Sequence, residues 1–237
     1  MRTADGLLPA YNVQTAVDAE HAIIVAQKVT DNRSLLAIAE AAKTALGNPE
    51  KLNGIADAGY SNGEQAEQCE AQGIAPHVPA NRGVNNQGDG TLLDRSQFRY
   101  DEKTDSYRCP ANQTLARKQL QRHKTRVIYA GDRAVCGACV LKSRCTNASQ
   151  RFIHRHLYDG ALQRMQQRAT PEMMRLRRCT VEHPFASLKY RIFGNPRFLL
   201  RGLRGARVEI SLATMVYNLK RMLNVLGAVQ LCAFLAM

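Results

Sequence analysis

The run Leu52-Asn-Gly-Ile-Ala56 is short and mostly apolar, and it is followed at once by Asp57-Ala-Gly-Tyr60. A strand that ends on a carboxylate and a glycine turn is how an open α/β sheet presents its chemistry, so this stretch restricts the fold class first. The flanking sequence agrees. Tyr11 to Val17 alternates, with Val13, Thr15 and Val17 on one face; Asp18-Ala-Glu-His21 reads as a turn and Ala22 to Val29 as a second strand, which predicts a hairpin. A helix follows from a cap at Asp31 or Ser34 to about Leu46, where Gly47-Asn-Pro49 stops it. A second helix over about Gly63–Gln72 leads to a short strand, Ile74 to Val78, ending at Pro79. The first nine residues read as a loop.

Charge divides the chain in two. Residues 1–108 hold 10 Lys/Arg against 15 Asp/Glu, and residues 109–237 hold 23 against 5, so net −5 and net +18 make up the total of +13. A polycationic half points to a polyanionic partner, with a solvated basic face as the plainer alternative. Trp is absent and aromatic residues make up 6%, which favours contact with a duplex backbone over base stacking. At 237 residues and 45% hydrophobic, the chain can bury one core, or one core with a small inserted module. No run of about 18 uncharged apolar residues appears, no secretory pattern opens the chain, and the apolar tail Val225–Met237 is too short to span a bilayer. The expectation is a soluble cytoplasmic protein with no membrane partner.

From Ala80 to about Tyr100 the composition turns to Asn, Gly, Asp and Gln, a crossing into an insertion that carries four of the seven cysteines. Beyond Phe152 the chain reads as basic helices over about Leu157–Arg168, Pro171–Arg191 and Glu209–Leu226. Thr170 and Pro171 suit a cap and first helical position, and Pro184 is expected to kink or restart the second of these helices. Three parts result: residues 1–80, an insertion over 81–150, and 151–237.

Two clusters carry chemistry. Arg178, Glu182 and Lys189 stand at offsets of four and seven from one another, and those offsets share one face of a helix. A strand-end acid and a helix acid flanked by cations suit a divalent ion beside a phosphate backbone, since two-metal phosphodiester chemistry uses converging carboxylates. The plainer alternatives are a turn or helix-cap role for Asp57 and an i−4 ion pair with Arg178 for Glu182. Cys109, Cys136, Cys139 and Cys145 give the spacing C-x26-C-x2-C-x5-C, in which Cys136-Gly-Ala-Cys139 forms a zinc knuckle and Cys109 with Cys145 the second pair of a four-thiolate site. Reduced cysteines in a small apolar module are the alternative. An odd number of cysteines without a secretory signal argues against a disulfide framework, and Cys69, Cys179 and Cys232 read as helix packing residues.

The Tyr11-Asn-Val-Gln-Thr-Ala-Val-Asp18 hairpin, the Asp57 turn, the cysteine insertion and the Glu182-His-Pro-Phe block occur in one order over about residues 8–226. In that order the chain resembles the DDE transposases of bacterial insertion sequences. The resemblance implies a ribonuclease H-like mixed sheet with flanking helices and an inserted cysteine-rich, zinc-ribbon-like module. It makes Asp57 the second catalytic acid and Glu182 the third, within a Tyr-x2-Arg-x3-Glu-x6-Lys signature whose Tyr position is here Arg175. It also implies Mg²⁺ or Mn²⁺ as cofactor with structural Zn²⁺ at the cysteines, and double-stranded DNA of the element ends and target as partner, bound by a homodimer. Arg178 and Lys189 would touch phosphates. The segments at Arg117-Lys118, Lys124, Arg126, Arg151, Arg155, Arg175, Arg177 and Arg201–Arg207 would supply further contacts. The first acid of that family lies on a strand ahead of the Tyr11 hairpin, and Asp18 is a poor substitute because it sits in the hairpin turn, ~15 Å from the strand-end site. The expectation is therefore a transposase truncated at the amino end, performing metal-dependent phosphodiester cleavage and strand transfer when complete. The alternative is a non-catalytic DNA-binding remnant with a zinc-ribbon module.

Overall fold

The computed structural model describes residues 2–3, 6–7, 11–30, 33–80, 92–194 and 197–236. The chain forms two compact units, one of residues 1–80 with 162–237 and one of residues 81–161.

The first unit opens on β1 (Arg2–Thr3) paired with β2 (Gly6–Leu7), a small hairpin where the sequence reads as loop. Next come β3 (Asn12–Val17) and β4 (Ile24–Thr30), antiparallel as expected and closed by a turn in which Asp18 accepts a hydrogen bond from the His21 amide at 2.7 Å. Helix α1 (Leu35–Ala45) is capped by Ser34, whose side chain accepts from the Ala37 amide, and it buries Leu35, Ile38, Ala39 and Ala42. Then follow β5 (Leu52–Ile55), a 3-10 turn (Ala58–Tyr60), α2 (Gly63–Ala71) and β6 (Ile74–His77). Strands β5 and β6 pair in parallel, the arrangement a helical crossover permits. Among the described residues these are separate two-stranded pairs, not the single mixed sheet the resemblance implies.

Both pairs have one edge closed by side chains. Pro76 offers no N–H on β6, and Arg168 donates to its carbonyl at 3.4 Å. Along β4 the closing element is α7 (Gly202–Leu235), which runs beside the strand in the opposite sense. Arg207 donates to the Val29 carbonyl, Thr214 to the Gln27 side chain, Tyr217 to the Ala22 carbonyl and Arg221 to the His21 carbonyl. Asn218 takes both backbone groups of Ile24, accepting from its N–H at 2.9 Å and donating to its carbonyl at 2.8 Å. The side-chain amide thus stands in for a neighbouring strand. Ile24, Val29, Leu188, Ala206, Ile210, Ala213 and Tyr217 form the core beneath. Helix α7 extends well beyond the expected Glu209–Leu226, and its axis breaks at Gly227, where φ is 79°.

The second unit is a five-stranded antiparallel sheet in the order β11-β10-β9-β8-β7. It is formed by β7 (Arg99–Asp101), β8 (Ser106–Arg108), β9 (Thr114–Gln121), β10 (Arg126–Ala130) and β11 (Phe152–His156), with the short helices α3 (Arg133–Gly137) and α4 (Lys142–Cys145) between the last two. Phe98, Tyr107, Leu115, Val127, Tyr129 and Ile153 make its core. Helix α5 (Asp159–Arg168) leads the chain back to the first unit.

Helix α6 (Pro171–Ala186) begins as expected, with Thr170 accepting from the Met173 amide and Pro171 in the first turn. Pro184 does not restart it. The helix passes through that buried proline and then widens into a π-helical segment over Ser187–Ile192. Proline cannot donate to the carbonyl one turn back, and a wider turn just beyond it lets the chain continue while Ser187 and Leu188 stay inward.

Candidate nucleic-acid and metal sites

Asp57 lies just past the C-terminal end of β5, as its motif predicts, and it plays the cap role as well: Oδ1 accepts the Gly59 amide at 2.8 Å. Its other oxygen faces α6, where Arg177 Nη2 donates to Oδ2 at 3.3 Å. Tyr60 and Arg33 complete the surroundings. Burial raises the Tyr60 hydroxyl above its ordinary pKa and the Asp57 carboxylate adds to that, while Arg33 and Arg177 pull it down. A Cβ added at Gly59 would overlap Arg33 Nη1 and stand 2.9 Å from Asp57 Oδ1, so glycine here makes room for a guanidinium group over the turn. Arg33 is exposed and makes no ion pair with a carboxylate among the described residues.

Helix α6 has two faces. Arg177, Thr180 and Pro184 turn inward, whereas Arg175, Arg178, Glu182 and, in the π segment, Lys189 are all exposed. The i−4 ion pair considered for Glu182 does not form: among the described residues the Glu182 side chain has neither an ion pair nor a hydrogen bond. No contact joins it to Asp57. The two acids stand on one helix-and-strand junction through Arg177, which lies five residues before Glu182 and so about 7.5 Å away along the axis. Sequence reading grouped Arg177 with the DNA contacts and missed Arg33 altogether, since Arg33 lies 24 residues from Asp57 with no periodicity linking them.

In the second unit Cys109, Cys136, Cys139 and Cys145 line a single cavity of about 70 Å³, with Leu115 and Arg151 in its wall. Burial raises the Cys145 thiol above its usual pKa; Arg151 opposes this, and Cys136, Cys109 and Cys139 reinforce it. Cys109 closes a turn, its sulfur accepting the Gln113 amide at 3.3 Å. A Cβ on Gly131 would stand 2.8 Å from Cys136 Sγ. Of the other cysteines only Cys69 packs as expected, buried with its thiol pushed up to about 11 by that burial, whereas Cys179 and Cys232 are exposed.

The remaining cations separate into free and structural groups. Lys118 lies 5.2 Å over the Phe152 ring, and Arg117 pairs with Asp105 at 2.9 Å. Arg151, expected at a DNA surface, is instead buried and donates to the carbonyls of Cys145 and Leu93. Arg155 stacks on Tyr100 and pairs with Asp159. The side chain of Lys124 and residues such as Asp5 lie outside the described residues.

A strand-end acid, a cationic helix carrying a second acid and an inserted cysteine module meet in one chain of mixed α/β structure. The family model described as a transposase DDE domain matches residues 4–219. The chain belongs to that family. Its mixed α/β structure agrees with a ribonuclease H-like transposase domain, and membership implies action on DNA in transposition. Nucleic-acid cleavage and transfer with divalent ions such as Mg²⁺ or Mn²⁺ is the general chemistry of such enzymes. No curated protein matches the chain. No solved structure matches it either. No helix among the described residues is long and apolar enough to cross a membrane.

Among the described residues no group of three or more His, Cys, Asp or Glu is arranged to hold a metal. At Asp57 the misfit is one of charge: the carboxylate already answers a guanidinium group and an amide, and Glu182 makes no contact with it. Two separated carboxylates do not make a two-ion centre. At the cysteines the donors suit zinc in kind and share one cavity, but they are not drawn together to metal-holding separations.

Proposed function

We propose that this chain binds the duplex ends of a mobile element through its basic helices and takes part there in phosphodiester cleavage and strand transfer. Asp57 and Glu182 are the two carboxylates it would contribute. The observation that carries the reading is the two-sidedness of α6. Its outer face presents Arg175, Arg178, Glu182 and Lys189 to solvent while Arg177 reaches the strand-end acid at 3.3 Å, so one helix couples a cationic surface to Asp57. Contacts of this kind give affinity without sequence preference and with steep salt dependence. A homodimer on the DNA and a cytoplasmic location are further parts of the proposal.

The test compares DNA binding with DNA cutting. An extended protein carrying an Asp-bearing strand ahead of Tyr11 is expected to cleave element ends with Mg²⁺ or Mn²⁺, and Asp57→Ala or Glu182→Ala is expected to abolish cleavage while leaving duplex binding in place. Equal cutting by those variants would remove both acids from the mechanism. A second reading, a DNA-binding remnant without catalysis, is favoured by the engagement of Asp57 with Gly59 and Arg177; it predicts duplex binding indifferent to divalent ions and no cutting by the extended protein.

For the second unit we propose structural zinc held by Cys109, Cys136, Cys139 and Cys145, supported by their shared cavity. Purified protein should contain one equivalent of zinc by elemental analysis, and Cys136→Ser with Cys139→Ser should lose it entirely. Zinc-free wild-type protein with the same thermal stability would refute this.

A further inference from the structure

We propose that the cluster at the end of β5 seats an anion: Arg33 and Arg177 clamp a DNA phosphodiester oxyanion, and Asp57 orients Arg177 instead of ligating a cation. The inference rests on the DNA-binding reading above and adds to it one residue, Arg33, and a different role for Asp57.

Two guanidinium groups and one carboxylate make this pocket net positive, which repels a divalent cation and attracts a phosphate. Asp57 is satisfied without a metal, by the Gly59 amide at 2.8 Å and Arg177 at 3.3 Å. Arg177 uses Nη2 alone for that pair, which leaves the rest of its planar fork for another acceptor. Arg33 stands on the other side of the turn. Its guanidinium group occupies the space a side chain at position 59 would fill, and it makes no ion pair with a carboxylate among the described residues. A Cβ built at Gly59 would meet both Arg33 Nη1 and Asp57 Oδ1, and Arg177 holds the other oxygen of that carboxylate, so both arginines border the same turn. That spot is open: the Asp57 side chain is 46% exposed. Arginine pairs of this kind match phosphate oxygens bidentately, and a neighbouring carboxylate holds one fork in place. The adjoining outer face of α6, with Arg178 and Lys189, continues the positive surface along which a duplex backbone would run.

The test measures binding of a fluorescent duplex to the full chain by anisotropy over a salt series, without divalent ions. Arg33→Ala and Arg177→Ala should each weaken binding about three- to tenfold and each reduce the slope of log K against log salt by about 1. Arg177→Lys, which keeps the charge, should keep the slope. Asp57→Asn should weaken binding about two- to fivefold, because it frees the Arg177 fork that the carboxylate holds in place. Mn²⁺ titration of DNA-free protein should give the same curve for wild type and Asp57→Asn. Arg33 is exposed, so its substitution leaves the core intact, and an unchanged slope in that variant overturns the proposal. So does unchanged or tighter binding by Asp57→Asn, or an Asp57-dependent Mn²⁺ site. If Arg178→Ala and Lys189→Ala reduce the slope while Arg33→Ala and Arg177→Ala do not, the phosphate seat alone is refuted. A wild-type chain that binds no duplex refutes the DNA reading itself.

Discussion

The Asp57 turn and the four-cysteine cavity are both places where residue type suggests a metal, and they are assembled in opposite ways. Around Asp57 the neighbours are of opposite charge: an arginine from α6 answers the carboxylate and a second arginine lies over the turn. Around Cys145 the other donors are three further thiols, whose ionised forms would oppose its own, with the Arg151 guanidinium acting against them. Burial favours the protonated, neutral Cys145 thiol, whereas a carboxylate already facing a guanidinium group is held in its charged form and gains little from a cation. Each cluster also depends on a glycine, and the two glycines set up the first comparison.

A methyl group at Gly131 would meet Cys136 Sγ at 2.8 Å, and a short side chain on a helix has little freedom to withdraw. Gly131→Ala is therefore expected to cost about 1–3 kcal/mol by overpacking and to displace the thiol. At Gly59 the nearest opposing group is the far end of Arg33, which swings aside, and Asp57 Oδ1 at 2.9 Å needs only a slight shift, so Gly59→Ala should cost about 1 kcal/mol, less than Gly131→Ala, while weakening duplex binding. Urea denaturation of both variants checks the order, and a reversed order would break the comparison.

Glu70 supplies the next calibration, because it too is a carboxylate met by guanidinium groups. Arg164 and Arg168 both donate to it at 2.6 Å, and its side chain is 18% exposed. Burial alone would raise its pKa, but the two arginine hydrogen bonds outweigh that and hold it below the usual carboxylate value. Stability from a depressed acid is present above the unfolded pKa and disappears as pH falls through the folded one. Glu70→Gln should lower stability by about 1–2 kcal/mol at neutral pH and flatten the acid limb of a stability–pH curve. The effect should be smaller at the more exposed pair. Arg177→Met is expected to change stability by less than ~1 kcal/mol, and a loss equal to that of Glu70→Gln would show Arg177 to be a core strut, not a displaceable partner.

Sequence alone resolved the parts of this molecule governed by local chemistry. The hairpin around Asp18, the Ser34 and Thr170 caps, and the strand that delivers Asp57 all follow from turn residues and alternation within a few positions. The passage of α6 through Pro184 was not legible, because the compensation is a wider turn after the proline, stabilised by burying Leu188 against β4 and α7. Nor were the partners of Asp57. Arg177 reaches it from 120 residues after, and Arg33, 24 residues before, lies over its turn; linear spacing has no record of such meetings. Arg151 misled in the same way: a basic residue in a basic stretch, it is spent on two carbonyls inside its own unit.

The pairing of Asn218 with Ile24 has a consequence for how copies of this protein meet. With α7 in place, the Ile24 amide and carbonyl and the Val29 carbonyl on the outer border of β4 are answered by Asn218 and Arg207, and a second polypeptide would have to displace them to pair there. Cutting the chain ahead of Ser211 would turn that border into an adhesive one. A clipped molecule would be marked first by self-association.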